Sequence, residues 1–187
     1  MGGTGAVSSS GELNQLLLRT AGGDRAAFAE LYRQTSPRLL GVCARMLGDT
    51  REGEEVLHET YVTVWQRGGT FDPLRASAMT WLVALSRNKA IDRLRQRRGA
   101  VMAPAVELEA IVDDDPTPAV DAELGEEYRR LEHCMDQLEP RQRSSIREAF
   151  FSGLTYNALA ERAKVPLGTM KSWIRRGLLQ LRACLET

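Results

Sequence analysis

Apolar residues recur every three or four positions through the first half of the chain, which is the spacing of amphipathic α-helices. Asp24 belongs to a residue type that caps helix N-termini, so it predicts a helix that begins directly after it. Ser36-Pro37 predicts the start of a second helix, because proline is tolerated at the first helical position. Asp49 followed by Glu52 predicts a third helix, which ends near Gly68-Gly69. The residues expected on the inner faces of these helices are Phe28, Leu31, Tyr32, Thr35, Leu39, Val42, Cys43, Met46, Leu57, Tyr61, Val64 and Trp65.

The segments on either side of these helices have weaker patterns. Residues 1–23 are expected to hold a flexible tail and the start of the first helix, because the first ten residues are rich in glycine and serine. This start lacks the basic and apolar stretches of a signal peptide. A loop that contains Phe71-Asp-Pro73 leads to a fourth helix over about residues 76–98. The apolar residues of that helix do not keep to one stripe, so the pattern leaves its buried face undetermined.

The second half of the chain predicts a helix-turn-helix. One helix stops before Pro140, which opens the next. Thr155 caps a short helix over Tyr156–Lys164, a turn over Val165–Gly168 follows, and the last helix runs from about Thr169 to Leu185. A short capped helix, a tight turn and a longer helix are the parts of this DNA-binding motif. The inner face of the helix before Pro140 is expected to hold Leu131, Cys134, Met135 and Leu138, and that of the last helix Met170, Ile174, Gly177, Leu178, Leu181 and Leu185.

The stretch from Gly99 to Glu123 separates the two helical parts. It contains three prolines and seven acidic residues, has no basic residue, and shows no sustained periodicity. Such a composition is typical of a flexible linker. The predicted fold is therefore all-α, with two small helical domains over residues 24–98 and 124–187 joined by an acidic flexible linker over residues 99–123.

Charge is distributed unevenly, although the formal net charge is zero. Between Arg75 and Arg98, seven basic residues stand against Asp92 alone, and between Arg162 and Arg182 there are six basic residues and no acidic one. Two basic blocks separated by an acidic spacer indicate two surfaces that contact phosphates. Basic helix faces that are merely solvated are the alternative interpretation.

Composition narrows the class of protein. The chain is 43% hydrophobic and 27% charged, the balance of a soluble globular protein. No apolar run approaches the roughly 20 residues that span a bilayer, so we expect no membrane insertion and a cytoplasmic location. His58 and His133 are the only histidines, and His133-Cys134 has no partner cysteine at metal-site spacing. We therefore expect no metal, no cofactor, no catalytic residue and no enzymatic activity.

The last helix carries the clearest functional pattern. At about 100° per residue, Lys171, Arg175 and Arg182 lie opposite its apolar face, with Ser172 and Arg176 beside them. The second helix of a helix-turn-helix enters the major groove of DNA, with its N-terminal residues at base edges and its flanks on phosphates. This helix is therefore predicted to bind DNA.

Segments in both halves resemble one known family. The stretch from Val165 to Arg182 (VPLGTMKSWIRRGLLQLR) resembles the recognition helix of region 4 in extracytoplasmic-function sigma factors, and LTYNALA just before it resembles the helix that precedes the turn. EEVLHETY, continued to Trp65, resembles the region 2 helix that grips RNA polymerase, and WLVALSRN, continued to Arg98, resembles the segment that reads and opens the −10 element. The resemblance covers roughly residues 24–98 and 124–186. Two positions depart from the family pattern: His58 stands where glutamine is usual, and Trp173 where arginine is common.

The resemblance implies a transcription initiation factor with three contact surfaces. It also implies core RNA polymerase, promoter DNA and an anti-sigma factor as partners, the last of which could hold the protein at the membrane. The loop over Thr70–Thr80 is implied as the wall of a pocket for a flipped base. The −35 contacts would be Thr169, Lys171, Ser172, Arg175 and Arg176; the −10 contacts Trp81, Arg87, Asn88, Asp92 and Arg95; and the polymerase contacts Glu54, Glu55, His58, Glu59 and Trp65.

Two questions stay open at this level. A helix-turn-helix regulator with a ligand-sensing or dimerising N-terminal domain is the alternative function. Cys134 and Cys184 lie on or beside the inner faces of the first and last helices of the second domain. Those helices can be neighbours in a small bundle, so the two residues could form a disulfide, or they could be two buried thiols.

Overall fold

The computed structural model describes residues 5–100 and 122–186, and the all-α prediction is confirmed there. The chain divides into two compact units, Met1–Met102 and Ala103–Thr187. The predicted acidic linker over residues 99–123 lies almost entirely outside the described residues. The first unit contains α1 (Gly5–Ala21), α2 (Arg25–Leu47), α3 (Thr50–Arg67), a 3₁₀ turn (Gly68–Thr70) and α4 (Ala78–Ala100). The second contains α5 (Ala122–Asp136), α6 (Pro140–Phe151), α7 (Tyr156–Arg162) and α8 (Leu167–Leu185).

Helix α1 spans Gly5–Ala21, most of the segment in which a flexible tail and the start of the first helix were expected, so the expected tail is wrong from residue 5 onward. Leu16 and Leu17 are buried in the core of the first unit, and Leu13 packs against it. The spacing of three and four residues between these leucines is a helical signal that the glycine- and serine-rich start conceals. Burial of this stripe outweighs the weak helix propensity of the preceding residues.

Helix α2 is a single helix of 23 residues with Pro37 inside it, whereas a new helix was expected to begin at Ser36-Pro37. Leu31, Thr35, Leu39 and Cys43 are all fully buried and continue one stripe across the proline. Full burial of a leucine stabilises a fold by about 1.5–3 kcal/mol, so several such residues outweigh the roughly 3 kcal/mol cost of an internal proline.

Helices α2 and α3 pack closely in the first unit. A Cβ atom on Gly53 would lie 2.9 Å from the backbone nitrogen of Ala44, so the contact requires glycine. The Asp49 side chain accepts a hydrogen bond from the N–H of Glu52 at 3.0 Å and caps α3 as predicted. Tyr32 and Trp65 were expected on the inner faces, but they are 44% and 39% exposed because they lie at the edge of this helix pair.

The second unit is a small bundle around α8. Leu159 of α7 packs with Met170 and Ile174 of α8 in its core. Of the residues expected inside, Leu131 is 38% and Leu178 is 47% exposed, so their assignment to the core is wrong. Within residues 122–186, no further layer of structure covers these two helix flanks.

The turn of the helix-turn-helix begins two residues earlier than predicted, at Ala163 rather than Val165, and has the same length of four residues. Thr155 accepts a hydrogen bond from the N–H of Ala158 at 3.2 Å and caps α7 as expected. Helix α7 ends at Arg162 rather than Lys164, because Lys164 has a left-handed backbone with φ of 53°. The N–H of Val165 then bonds the carbonyl of Ala160 at 3.0 Å and turns the chain into α8.

Candidate nucleic-acid and polymerase interfaces

Helix α8 presents its predicted DNA-contacting side chains to solvent. Met170 and Ile174 fix the opposite side of the helix in the core, where they are 2% and 4% exposed. Thr169 is half-buried in the first turn. The exposed residues are Lys171, Ser172, Arg175 and Arg176. The structure therefore brings all five candidate −35 contacts onto the N-terminal half of one helix.

Trp173, which departs from the family pattern, packs against the core of the second unit. The guanidinium carbon of Arg141, on α6, lies 5.7 Å from the centre of the Trp173 ring, which is cation–π distance. Arg141 is exposed, so a positive charge from α6 stands beside α8. Sequence reasoning missed Arg141, since only the packing of α6 on α8 brings it there.

The candidate −10 contacts on α4 divide into two groups. Asn88, Asp92 and Arg95 follow at intervals of four and three residues and are exposed on one face, with Asp92 and Arg95 paired at 3.7 Å. Trp81 lies two turns before Asn88 on the same stripe and packs against the core. Arg87 is half-buried and lies about 100° around the helix from Asn88, so it does not join this face.

A shallow polar depression of about 310 Å³ lies between α3 and α4. Asn88 and Asp92 line it from α4, together with Lys89. The α3 side contributes Gln66 and Arg67, which sequence reasoning did not select. The sequence offers only a weak indication that Gln66 and Arg67 belong to a site, because polar residues directly before the glycines that end a helix are ordinary. The depression offers amide, carboxylate and cationic groups within a single site.

The loop between α3 and α4 is anchored at its base and open at its tip. Phe71 is only 5% exposed, and its ring meets that of Trp81 edge to face at 5.9 Å. The Asp72 side chain accepts a hydrogen bond from the N–H of Leu74 at 2.9 Å. The Leu74 side chain is 95% exposed, although it is apolar. An exposed apolar side chain at a loop tip can pack against the flat face of an aromatic ring.

Some arginines of the basic run at the end of α4 form ion pairs with α3, a structural role that the sequence did not reveal. Arg93 donates hydrogen bonds to Glu55 at 3.0 Å and to Glu59 at 2.8 Å, and Arg97 pairs with Glu52. The hydrogen bond to Glu55, followed by that to Glu59, raises the pKa of Arg93 above its usual value. Arg93 and Arg97 therefore join α4 to α3, whereas Arg95 points to solvent on another side of the helix.

The five candidate polymerase contacts lie on the outer side of α3 in two rows. Glu54 and His58 are exposed, and Trp65 on their row packs edge to face on Phe28 of α2 at 5.3 Å. Glu55 and Glu59 form the other row, toward α4. Val62, which is 42% exposed between the rows, was not predicted. The surface is therefore acidic with an apolar and aromatic strip.

The remaining features to consider are the cysteines, possible metal sites and possible membrane-spanning helices. A disulfide joins Cys134 of α5 to Cys184 of α8, with 5.8 Å between their Cα atoms, so of the two alternatives the structure has the bridge. Burial raises the pKa of the Cys43 thiol to about 11. Among residues 5–100 and 122–186, no cluster of histidine, cysteine or carboxylate side chains could hold a metal ion. None of the helices in these same ranges is long and apolar enough to cross a membrane.

Comparison with known proteins covers both units. The Sigma-70 region 2 family matches residues 31–100, and the Sigma-70, region 4 family matches residues 134–183. The ECF RNA polymerase sigma factor SigK of Mycobacterium tuberculosis is 38% identical over 186 residues, which cover 98% of each chain. SigK of Mycolicibacterium vanbaalenii is 38% identical over 93% of this chain and 89% of its own.

A solved structure with lower similarity is found as well. Rhodobacter sphaeroides SigE, in complex with the anti-sigma ChrR, is 31% identical with a TM-score of 0.49, and the match covers 95% of this chain and 99% of that one. The full-length identity to SigK, with regions 2 and 4 in the same order, decides the family. The chain belongs to the extracytoplasmic-function family of RNA polymerase sigma factors.

Proposed function

We propose that this sigma factor directs core RNA polymerase to promoters through three surfaces: the outer side of α3, the exposed face of α4 with its preceding loop, and the N-terminal half of α8. The observation that supports this most strongly is the full-length likeness to ECF sigma factors, with regions 2 and 4 in the same order. The chain is not an enzyme; it supplies recognition and strand separation to the polymerase.

Helix α8 is proposed to hold the −35 element in the major groove. Its fixed apolar side leaves Lys171, Arg175 and Arg176 exposed together. Arginine can bond the O6 and N7 atoms of guanine with two hydrogen bonds, whereas lysine and a second arginine can neutralise the flanking phosphates. Arg141, held over Trp173, adds a cation at the flank of the same helix.

The α4 face is proposed to take the non-template strand of the opened −10 element. Opening costs a few kcal/mol for each base that leaves the stack, and stacking plus hydrogen bonding of the exposed base can recover it. Asn88, Asp92 and Arg95 offer an amide, a carboxylate and a cation, and Leu74 offers an apolar contact at the loop tip. The polar depression beside Asn88 has room for hydrogen-bonding groups of a base or a sugar.

The outer side of α3 is proposed to bind core polymerase. Glu54, His58 and Trp65 form one row, and Val62 adds apolar area in the middle. An aromatic and apolar strip between charged edges has the composition of a protein interface rather than of a surface that binds nucleic acid.

An anti-sigma factor is proposed as a second protein partner, as the family resemblance implies. Such a partner would cover the α3 and α8 surfaces and could hold the protein at the membrane. The working location is proposed to be the cytoplasm, where core polymerase and promoter DNA are found.

The test compares DNA binding with and without core polymerase on a promoter library. A sigma factor selects paired −35 and −10 sequences only with core polymerase, whereas a helix-turn-helix regulator, which the family does not favour, selects duplex DNA alone. Replacing Lys171, Arg175 and Arg176 by alanine should remove −35 selection and leave core binding intact. Tight, sequence-specific duplex binding by the isolated chain would contradict the proposal.

A further inference from the structure

Helix α1 touches both ends of the loop between α3 and α4. At the end of the loop, the Oδ1 atom of Asn14 accepts a hydrogen bond from the backbone N–H of Ala78 at 2.7 Å. At its beginning, a Cβ atom on Gly68 would lie 3.4 Å from both the Cα and the Cβ atoms of Ala21. Asn14 and Ala21 are seven residues apart, so they share one face of α1 and lie about 10 Å apart along its axis.

The bond from Asn14 closes a gap in the cap of α4. Ser77 precedes the helix, and its Oγ atom accepts a hydrogen bond from the N–H of Thr80 at 3.2 Å. That leaves the N–H of Ala78, the first residue of α4, without a carbonyl acceptor from its own helix. Ala78 is fully buried, so water cannot replace the missing acceptor. An acceptor from elsewhere in the fold is therefore needed, and Asn14 supplies it from 64 residues away.

The loop between these two anchors is also attached through the buried Phe71 ring, which packs against Trp81. The residues beyond it, Asp72, Pro73, Leu74 and Arg75, are exposed. A loop whose ends are fixed by one rigid helix presents its tip in few orientations, and this reduces the entropy that binding must remove.

We infer that α1 is a positioning element for promoter opening, with Asn14 as its key residue: it fixes the ends of the loop so that Leu74 and the first turn of α4 meet the −10 strand in one geometry. The inference rests on the proposed −10 role of the loop and adds a residue that makes no contact with DNA. Asn14 acts only through Ala78 and is not part of the nucleic-acid surface itself.

The experiment measures the rate of promoter opening by holoenzyme, followed by 2-aminopurine fluorescence in the −10 element. Asn14→Ala removes the acceptor, whereas Asn14→Asp keeps an oxygen that also suits a helix N-terminus. Gln15→Ala is the matched control, since Gln15 is the next residue on α1 and is exposed. Leu74→Ser tests the loop itself. Core affinity of every variant is measured in parallel.

We expect Asn14→Ala to open promoters about tenfold more slowly, in line with the loss of a helix cap. Asn14→Asp should restore the rate to within about threefold, and core affinity should stay at the wild-type value. Base discrimination at the −10 position served by the loop should shrink in Asn14→Ala but not in Gln15→Ala, an effect that a loss of general stability does not produce.

Three results would overturn the inference, and they are distinguishable. Wild-type opening by Asn14→Ala, with Leu74→Ser slow, refutes the role of α1 and leaves the proposed function standing. Wild-type opening and base preference in Leu74→Ser removes the −10 role of the loop and the inference with it. Equal losses of opening and core affinity in Asn14→Ala and Asn14→Asp would show that Asn14 only stabilises the unit.

Discussion

Reversing the charges of the ion pairs between α3 and α4 allows the stability of region 2 and its affinity for polymerase to be measured separately. Glu55 and Glu59 both bond Arg93, so changing the two glutamates to lysine places three cations together. A third change, Arg93→Glu, restores both ion pairs with opposite polarity. Glu54→Lys is the control, because Glu54 is exposed on the same helix and has no ion-pair partner within the described ranges.

The expected cost follows from the exposure of these groups. The Arg93 side chain is 25% exposed, and those of Glu55 and Glu59 are 53% and 50% exposed. Ion pairs open to solvent contribute about 0.2–1 kcal/mol each, and like charges at the same spacing repel by similar amounts. The double glutamate variant should therefore lose about 1–3 kcal/mol, which lowers the Tm of a unit of this size by about 5–20 °C.

Thermal unfolding gives the stability, and fluorescence anisotropy of labelled protein titrated with core polymerase gives the affinity. The double variant should lose both, the triple variant should recover its Tm but not its affinity, and Glu54→Lys should keep its Tm while binding weakens. Recovery of core affinity by the triple variant would refute the assignment of this row to polymerase binding. An unchanged Tm in the double variant would refute the energetic argument.

Four further predictions test the fold and the −35 surface. Gly53→Ala should destabilise region 2 by about 1–3 kcal/mol in urea unfolding through its contact with α2, whereas Gly41→Ala, exposed and with nothing within 4 Å of its added Cβ, should stabilise it by about 0.5–1 kcal/mol. Reduction of the disulfide, or Cys184→Ser, should lower the unfolding free energy of region 4 by about 2–4 kcal/mol for a cross-link with a sequence separation of 50, measured by hydrogen exchange in α8. Burial raises the pKa of Cys43 from 9.0 to about 11, so the stability held by its neutral thiol is complete below about pH 9 and is lost as the pH rises through 11; Cys43→Ala should flatten that fall in a urea series. Arg175→Ala should cost about 1–3 kcal/mol in promoter binding and relax one −35 position, and uniform weakening over all sequences would show a phosphate contact instead.

The elements of this fold that could be predicted are those with a local signal. The cap Asp49 of α3, the cap Thr155 of α7 and the inner stripe of α8 through Met170 and Ile174 each depend on neighbouring residues of a single helix, and each prediction is confirmed. The continuity of α2 through Pro37 could not be predicted in the same way. Its cause is the burial of residues on both sides of the proline, and that depends on helices elsewhere in the chain.

Contacts between distant parts of the chain limit the prediction of the candidate sites even more than that of the fold. Side-chain types and helical spacing were enough to select Lys171 and Arg175 as exposed residues of α8, whereas Asn88 was selected only through the family resemblance. They were not enough to show that Arg93 joins α4 to Glu55, or that Asn14 reaches Ala78, since each contact links residues far apart in sequence. Long-range polar contacts produce no periodic pattern in the sequence. The arginines of a basic run therefore cannot be divided into ion-paired and solvent-exposed ones until the packing of their helix is known.

If the proposed function is correct, this chain makes core polymerase open a specific promoter. The most direct measurement is permanganate reactivity of −10 thymines on a promoter selected from the library, with core polymerase alone, with this chain alone and with both together. Reactive thymines are expected only with both, and they should be lost in the Lys171, Arg175 and Arg176 alanine variant. Equal reactivity with core polymerase alone, or none when both are present, would contradict the proposed function.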